Sequence, residues 1–117
     1  MRIVIADRQV ATRSALNMLL TPEEDVDIVG EASDKQQLLS MVETTQPDVV
    51  LLDWELAGSA AVDLLAELRV LGSSLKVIAL SGRPEAQQAA LGAGVAGFVS
   101  KGDSPARLLT TLRAIQL

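Results

Sequence analysis

Val49-Val50-Leu51-Leu52-Asp53 decides the fold class, because four consecutive apolar residues end abruptly at a carboxylate. A short, continuously apolar run is typical of a strand that is buried on both faces of a parallel sheet. Ile3-Val4-Ile5 and Val77-Ile78-Ala79-Leu80 repeat this pattern, and residues 26–29 and 95–99 are further strand candidates. The sequence therefore predicts five strands, of which three are expected to be buried on both faces.

Segments of helical periodicity lie between the predicted strands. Ser33 or Asp34 can cap a helix that ends near Thr45, and a third helix is predicted over about residues 59–71. The helical period gives the buried face of this third helix as Val62, Leu65, and either Leu68 or Leu64. Five strand–helix units predict an α/β fold, namely a five-stranded parallel sheet that is doubly wound as (βα)5, with helices on both faces.

The composition excludes several classes of function. The chain of 117 residues is long enough for one hydrophobic core, so residues 1–117 are predicted to form a single domain. It contains neither cysteine nor histidine, which excludes disulfides, thiolate and imidazole metal sites, and Ser-His-Asp or Cys-His catalysis. The net charge of -5 comes without the basic face that nucleic-acid binding requires. No apolar run approaches the length of a membrane span, and a cytoplasmic protein is expected.

Four polar side chains follow four of the predicted strands: Asp7, Asp53, Ser81 and Lys101. Each of them alone has an ordinary explanation as a turn, cap or surface residue. Because ligands of doubly wound sheets bind beyond the carboxyl ends of the strands, we expect the four to share one pocket. The set suits phosphoryl transfer to a carboxylate. Asp53 would be the nucleophile, Lys101 and Ser81 would contact the phosphoryl oxygens, and Mg²⁺ would supply most of the positive charge.

With these residues in this order, the sequence resembles the receiver domains of two-component response regulators. The resemblance covers residues 2–115 and rests on residues 3–7, 47–53, 77–81 and 97–101. The sequence looks most like receivers that precede a LuxR/NarL-type helix-turn-helix domain. This resemblance implies a flavodoxin-like sheet with the strand order 2-1-3-4-5.

The resemblance also implies roles for individual residues. Asp53 takes the position of the phosphoacceptor, and Ser81 and Lys101 take those of the groups that contact the phosphoryl oxygens. Phe98 takes the position of an aromatic switch residue, and it fits a core position beside the last strand equally well.

Arg8 departs from the family pattern, because the resemblance places a second acid and direct Mg²⁺ ligand at this position, beside Asp7. At about 5 Å and an effective dielectric of about 20, a guanidinium and a dication repel each other by roughly 6 kcal/mol. Even a third of this energy weakens metal affinity by well over tenfold. Binding of Mg²⁺ through Asp7, Asp53 and the backbone carbonyl of Glu55 is therefore expected to be weak or lost, although the Glu55 side chain could partly replace the missing acid.

Two interpretations of Arg8 remain open at this point. In the first, Arg8 pairs with Asp53 in the resting state and takes over part of the charge role of the metal, since a guanidinium binds carboxylates and phosphates well. In the second, Arg8 points into solvent and the site is decaying.

Three functions follow from these alternatives. The first is a receiver that works as a phosphorylation switch and not as a turnover enzyme, with impaired Mg²⁺-dependent phosphorylation. The second is a pseudo-receiver that acts through protein contacts without phosphorylation, and the third is a flavodoxin-like module for a small ligand. The expected partner is a sensor histidine kinase or another signalling protein. Homodimerisation is left open. A longer chain with a C-terminal effector domain, which would bind DNA, is also left open. The receiver-like domain itself is not expected to contact nucleic acid or membrane.

Overall fold

A five-stranded parallel sheet forms the centre of the computed structural model, which describes residues 1–115. Its strands are β1 (Arg2–Ala6), β2 (Asp27–Ala32), β3 (Val49–Asp53), β4 (Lys76–Ser81) and β5 (Gly97–Ser100). They lie in the order β2-β1-β3-β4-β5, and every neighbouring pair is parallel. The predicted α/β class and the flavodoxin-like strand order are therefore confirmed. The last two residues of the predicted domain 1–117 lie outside the described residues.

Each strand is followed by a helix. The helices are α1 (Val10–Leu20), α2 (Lys35–Thr45), α3 (Ala61–Leu71), α4 (Gln87–Gly92) and α5 (Pro105–Ile115). A one-turn helix over Trp54–Ala57 and a 3-10 turn over Gly58–Ala60 precede α3, and a 3-10 turn over Pro84–Ala86 precedes α4. Within residues 1–115, no helix combines the length and the apolar character needed to cross a membrane.

The helices cover both faces of the sheet and divide the core into two layers. On one face α1 and α5 contribute Leu20 and Leu108. On the other face α2, α3 and α4 contribute Leu38, Leu64 and Ala90. Alternate residues of the strands enter the two layers, because successive side chains of a strand point to opposite faces. This explains why β1, β3 and β4 are almost continuously buried, as their apolar runs predict.

The predicted bounds of two strands are wrong. β2 starts one residue later than predicted, because the backbone N of Val26 closes a turn by donating to the carbonyl of Glu23 at 3.1 Å, and it continues to Ala32. β5 starts at Gly97 and not at residue 95, because the backbone N of Val95 still donates to a carbonyl of α4 at 3.3 Å. Hydrogen bonds within turns thus replace strand pairing for the backbone groups at the ends of these strands.

The prediction that Val62 is buried is also wrong, since this residue is 65% exposed. The 3-10 turn delays the start of α3 to Ala61, and the buried face consists of Ala61, Leu64, Leu65 and Leu68. These positions follow the i, i+3, i+4, i+7 spacing of one helical face. Val62 lies about 100° around the helix from Ala61 and therefore points away from the sheet.

Gly94 closes the connection from α4 to β5 with a backbone φ of +103°, which L residues rarely adopt. Nη2 of Arg69 in α3 donates to the carbonyl of Gly94 at 2.9 Å, and a Cβ atom on this glycine would meet the same guanidinium. The glycine therefore permits both the tight turn and the contact with α3.

Leu64→Ala is expected to lower the free energy of unfolding by about 2–5 kcal/mol, because it opens a cavity between α3 and the sheet. Val62→Ala on the same helix is the matched control and should change this free energy by less than about 0.5 kcal/mol. Urea unfolding followed by circular dichroism measures both values. Similar losses for the two variants would contradict the orientation of α3.

Candidate functional site

The carboxyl ends of four strands bring the predicted residues to one edge of the sheet. The backbone N of Lys101 donates to the carbonyl of Ser81 at 2.8 Å, so the pairing of β4 and β5 continues past the end of β5. The backbone N of Asp7 donates to the carbonyl of Ala32 at 3.0 Å, which extends the pairing of β1 and β2 in the same way. Asp53 ends β3, the central strand between β1 and β4. These extensions fix the positions of Asp7 and Lys101 along the edge of the sheet.

Asp53 is fully buried, and both of its carboxylate oxygens are occupied by donors. Oδ2 accepts hydrogen bonds from Nε of Arg8 at 2.9 Å and from the backbone N of Arg8 at 3.3 Å. Oδ1 accepts from Nζ of Lys101 at 3.2 Å and from the backbone N of Glu55 at 3.2 Å. A carboxylate offers about four acceptor positions, so the acceptor capacity of Asp53 is filled.

Lys101 bridges two carboxylates. Its Nζ lies 2.9 Å from Oδ2 of Asp7 and 3.2 Å from Oδ1 of Asp53. The other oxygen of Asp7 accepts from the backbone N of Gln9 at 2.8 Å, which closes the turn that leads into α1. The two acids are therefore held together by one ammonium group.

Glu55 interacts with β4 and not with the other acids. Its Oε1 accepts from Oγ of Ser81 at 2.8 Å and from the backbone N of Gly82 at 3.2 Å. Oγ of Ser81 in turn accepts from the backbone N of Arg83 at 3.0 Å. The hydroxyl proton of Ser81 is thus directed at Glu55, and not at Asp53.

Burial and pairing act on the ionisable groups in opposite directions. Burial would raise the pKa of Asp53, but the hydrogen bonds from Arg8 and the charge of Lys101 outweigh it and hold this pKa below its usual value. Burial would lower the pKa of Lys101, but its contacts with Asp7 and Asp53 raise it. The hydrogen bond to Asp53 raises the pKa of Arg8 as well. All three groups are therefore charged at neutral pH.

The residues of this site fit a divalent cation poorly. Asp7, Asp53 and Glu55 are oxygen donors of the type that Mg²⁺ prefers. However, Lys101 and Arg8 already pair with Asp7 and Asp53, and Glu55 accepts from β4. Within residues 1–115, no group of three acidic side chains is arranged so that it could hold a metal ion.

The structure brings together six of the seven predicted site residues. Arg8 pairs with Asp53, as the first of the two interpretations requires, although 52% of its side chain is exposed. Its guanidinium therefore reaches the buried carboxylate of Asp53 from the solvent side. Phe98 stands apart from this set of polar contacts, because it is buried in the core layer beneath α2, α3 and α4.

Arg13 was not predicted as a site residue, but its Nη1 donates to the backbone carbonyl of Asp7 at 2.7 Å. The acceptor is a backbone atom, so no pair of side chains marks the contact in the sequence. The only available signal was the position of a basic residue one turn into the helix that follows β1.

The strand order 2-1-3-4-5, with buried acids and two cations at the carboxyl edge of the sheet, defines a class of protein. Residues 3–113 match the response regulator receiver domain family, and the chain belongs to that family. Receiver domains are signalling modules of two-component systems that interact with histidine kinases, and in general they bind Mg²⁺ at the phosphorylation site.

Two relatives are LuxR/NarL-type response regulators. The chain is 31% identical over 113 residues to the transcriptional regulatory protein DesR of Bacillus subtilis (strain 168), and the match covers 97% of the chain and 57% of DesR. It is 30% identical over 112 residues to the nitrate/nitrite response regulator protein NarL of Escherichia coli (strain K12), with 94% and 52% covered. The chain therefore spans little more than half the length of these relatives.

A solved structure supports the same assignment. The isolated REC domain of RcsB from Salmonella enterica serovar Typhimurium, determined in the presence of the phosphomimetic BeF3-, superposes with a TM-score of 0.87. The two sequences are 26% identical, and the match covers 99% of this chain and 88% of that one. The fold is thus that of a receiver domain along its whole described length.

We expect acid to destabilise the protein in a way that depends on Asp53. Its folded-state pKa lies below the unfolded value, so its ion pairs contribute fully above the unfolded pKa of about 3.9. This contribution is lost as the pH falls through the lowered folded value. Between about pH 6 and pH 2.5, urea unfolding should show that the free energy of unfolding falls more steeply for the wild type than for Asp53→Asn, which cannot titrate at this position. Equal slopes would argue against the paired carboxylate.

Proposed function

We propose that Asp53 is the phosphoacceptor of this receiver and that Arg8 impairs its Mg²⁺-dependent phosphorylation. The observation that carries the proposal is the ion pair between Nε of Arg8 and Oδ2 of Asp53 at 2.9 Å. Relatives of the usual pattern have an acid and metal ligand at the position of Arg8. A permanent positive charge therefore stands where those relatives use a dication.

The half-exposed side chain of Arg8 supports a route to the reaction. Asp53 can attack only through an oxygen that a donor has left, and Arg8 can rotate into solvent, whereas Lys101 is held by Asp7 as well. Attack by Oδ2 forms the O–P bond and breaks the bond between phosphorus and the donor atom. That atom, a nitrogen of a phosphohistidine or an oxygen of an acyl phosphate, keeps the electron pair.

The remaining site residues would respond to the new phosphoryl group. Lys101 would face its oxygens, and Arg8 would return to them as a charge-assisted donor. Ser81 would leave Glu55 and donate its hydroxyl to a phosphoryl oxygen. Phe98, the second residue of β5, would adjust its rotamer. The outcome would be a shift between two packings of the face formed by α4, β5 and α5.

The proposed setting of this switch follows from the family. The phosphodonor would be a sensor histidine kinase in the cytoplasm. The relatives are about twice as long as this chain, and DesR and NarL are regulators by name. We therefore infer that residues 1–117 form one receiver domain, which controls a C-terminal DNA-binding effector domain of a longer chain.

One observation favours a second candidate, a pseudo-receiver that acts through protein contacts alone. All four acceptor positions of Asp53 are filled by groups of the chain itself. If these contacts did not open, the domain would hold one packing permanently and its partners would recognise that packing. Phosphate incorporation distinguishes the two candidates.

Arg8→Asp is expected to restore Mg²⁺-stimulated phosphorylation by acetyl phosphate, because it removes the cation and supplies an oxygen ligand. Intact-protein mass spectrometry should show slow incorporation of one phosphate into the wild type, with little dependence on Mg²⁺. The variant should show at least about tenfold stimulation by Mg²⁺. Asp53→Asn should incorporate none. No phosphate on the wild type but incorporation by Arg8→Asp would favour the pseudo-receiver.

Isothermal titration with MgCl2 tests the role of Arg8 without any phosphodonor. The wild type should bind too weakly to give a measurable isotherm at low millimolar Mg²⁺, and Arg8→Asp should bind at least about tenfold more tightly. Arg83→Asp introduces the same change of charge beside the site but outside the ion pair, and it serves as the matched control. Micromolar to low millimolar binding by the wild type would refute the proposal.

A further inference from the structure

Arg13 in α1 contacts the backbone of the site at the residue that follows β1. Its side chain is only 16% exposed, and its Nη1 donates to the carbonyl oxygen of Asp7 at 2.7 Å. It touches neither Asp53 nor the other acidic side chains of the site in any described hydrogen bond or ion pair. Its partner is the peptide group that joins Asp7 to Arg8.

Glu31 of β2 holds the guanidinium of Arg13 in place. Its Oε1 lies 3.3 Å from Nε of Arg13, and its Oε2 accepts from Nδ2 of Asn17 at 2.8 Å. Arg13 and Asn17 are one helical turn apart on α1, so both face the same side chain of β2. Glu31 thereby fixes Arg13 from a strand that does not itself carry a site residue.

The geometry of a peptide bond connects Arg13 to Asp53. The carbonyl of Asp7 and the N–H of Arg8 belong to one planar trans peptide, so they point in opposite directions. Arg13 binds the carbonyl, and the N–H donates to Oδ2 of Asp53 at 3.3 Å. A guanidinium on the carbonyl also polarises the amide and makes its N–H a better donor.

The other contacts of this segment do not fix that peptide. The backbone N of Asp7 belongs to the extended pairing with Ala32, and Oδ1 of Asp7 accepts from Gln9. Neither bond involves the carbonyl of Asp7 or the N–H of Arg8. Rotation of the peptide about its flanking bonds is therefore restrained at the carbonyl by Arg13.

We propose that Arg13 and Glu31 are positioning residues, which orient the peptide between Asp7 and Arg8 so that Arg8 meets Asp53. Glu31 holds the guanidinium of Arg13, and Arg13 turns the Arg8 N–H towards Oδ2. The same peptide sets the starting point of the Arg8 side chain and hence the approach of its Nε to Oδ2. The relevance of this arrangement to phosphorylation rests on the proposed function, whereas the arrangement itself does not.

Nuclear magnetic resonance of the Arg8 amide tests the proposal on the intact chain. In Arg13→Met the Arg8 N–H should lose its carboxylate partner, so its proton resonance should move upfield. Its hydrogen exchange should become about tenfold faster, relative to the change in global stability measured by urea unfolding. Arg13→Lys keeps one donor for the Asp7 carbonyl and should restore part of both signals.

Arg113→Met is the matched control, because it also removes an arginine that forms ion pairs. Arg113 of α5 pairs with Glu23 and with Asp25 in the loop after α1, away from the carboxyl ends of the strands. Its removal should leave the resonance of the Arg8 amide in place and change exchange only as far as global stability changes. An equal shift of the Arg8 amide in Arg113→Met and Arg13→Met would show that Arg13 is merely structural.

Glu31→Gln keeps the test decisive if Arg13→Met does not fold. The amide retains an acceptor for Arg13 but loses the charge, so the Arg8 resonance should move in the same direction by a smaller amount. An unchanged Arg8 amide in every folded variant would overturn the proposal. Because the readout needs no phosphate, failure of Asp53 to be phosphorylated would refute the proposed function and leave this result standing.

Discussion

The buried carboxylate of Asp53 is the constraint around which this edge of the molecule is arranged. An unpaired charge in such a position would cost several kcal/mol, so the fold has to surround it with donors. Two cations and two backbone amides meet this requirement, and they are supplied by Arg8, Glu55 and Lys101. The loops after β1, β3 and β5 therefore have their conformations fixed by one side chain.

The burial of Asp53 also explains why Lys101 and Arg8 have different roles. Lys101 is largely enclosed and serves two acids at once, so its loss would remove the ammonium group that pairs with Asp7 and would leave Asp53 with Arg8 alone. Arg8 reaches Asp53 from outside and keeps half of its side chain in water. A pair with one exposed partner is weaker than a buried one, because solvent screens it. The contact that can open is thus the one that differs from the usual pattern of the family.

Sequence patterns could predict the parts of this structure that depend on burial and on strand direction. The runs that end at Asp7, Asp53 and Ser81 identify buried parallel strands, and parallel strands end at one edge, so the convergence of the site follows. The buried face of α3 was misplaced because Val62 gives a stronger apolar signal than Ala61. The buried residues Ala61, Leu64, Leu65 and Leu68 nevertheless follow the helical period, and Val62 lies outside this face.

Contacts that involve backbone groups were equally hidden from the sequence. The bond from Arg13 to the carbonyl of Asp7 has an acceptor that every residue possesses, so no residue type signals it. The bond from Ser81 to Glu55 joins two side chains, but it depends on the direction in which the chain leaves β3. Residue types define which partners a site can contain, and the loop conformations decide which of them meet.

The turn at Gly94 has a consequence for how this chain can vary in evolution. A side chain at that position would impose a strained backbone and would also displace the guanidinium of Arg69. The reverse does not hold, since the glycine keeps its conformation whatever residue stands at position 69. Gly94 is therefore constrained, whereas position 69 can change. A related chain can lose Arg69 and keep Gly94, but it cannot lose Gly94 and keep this contact.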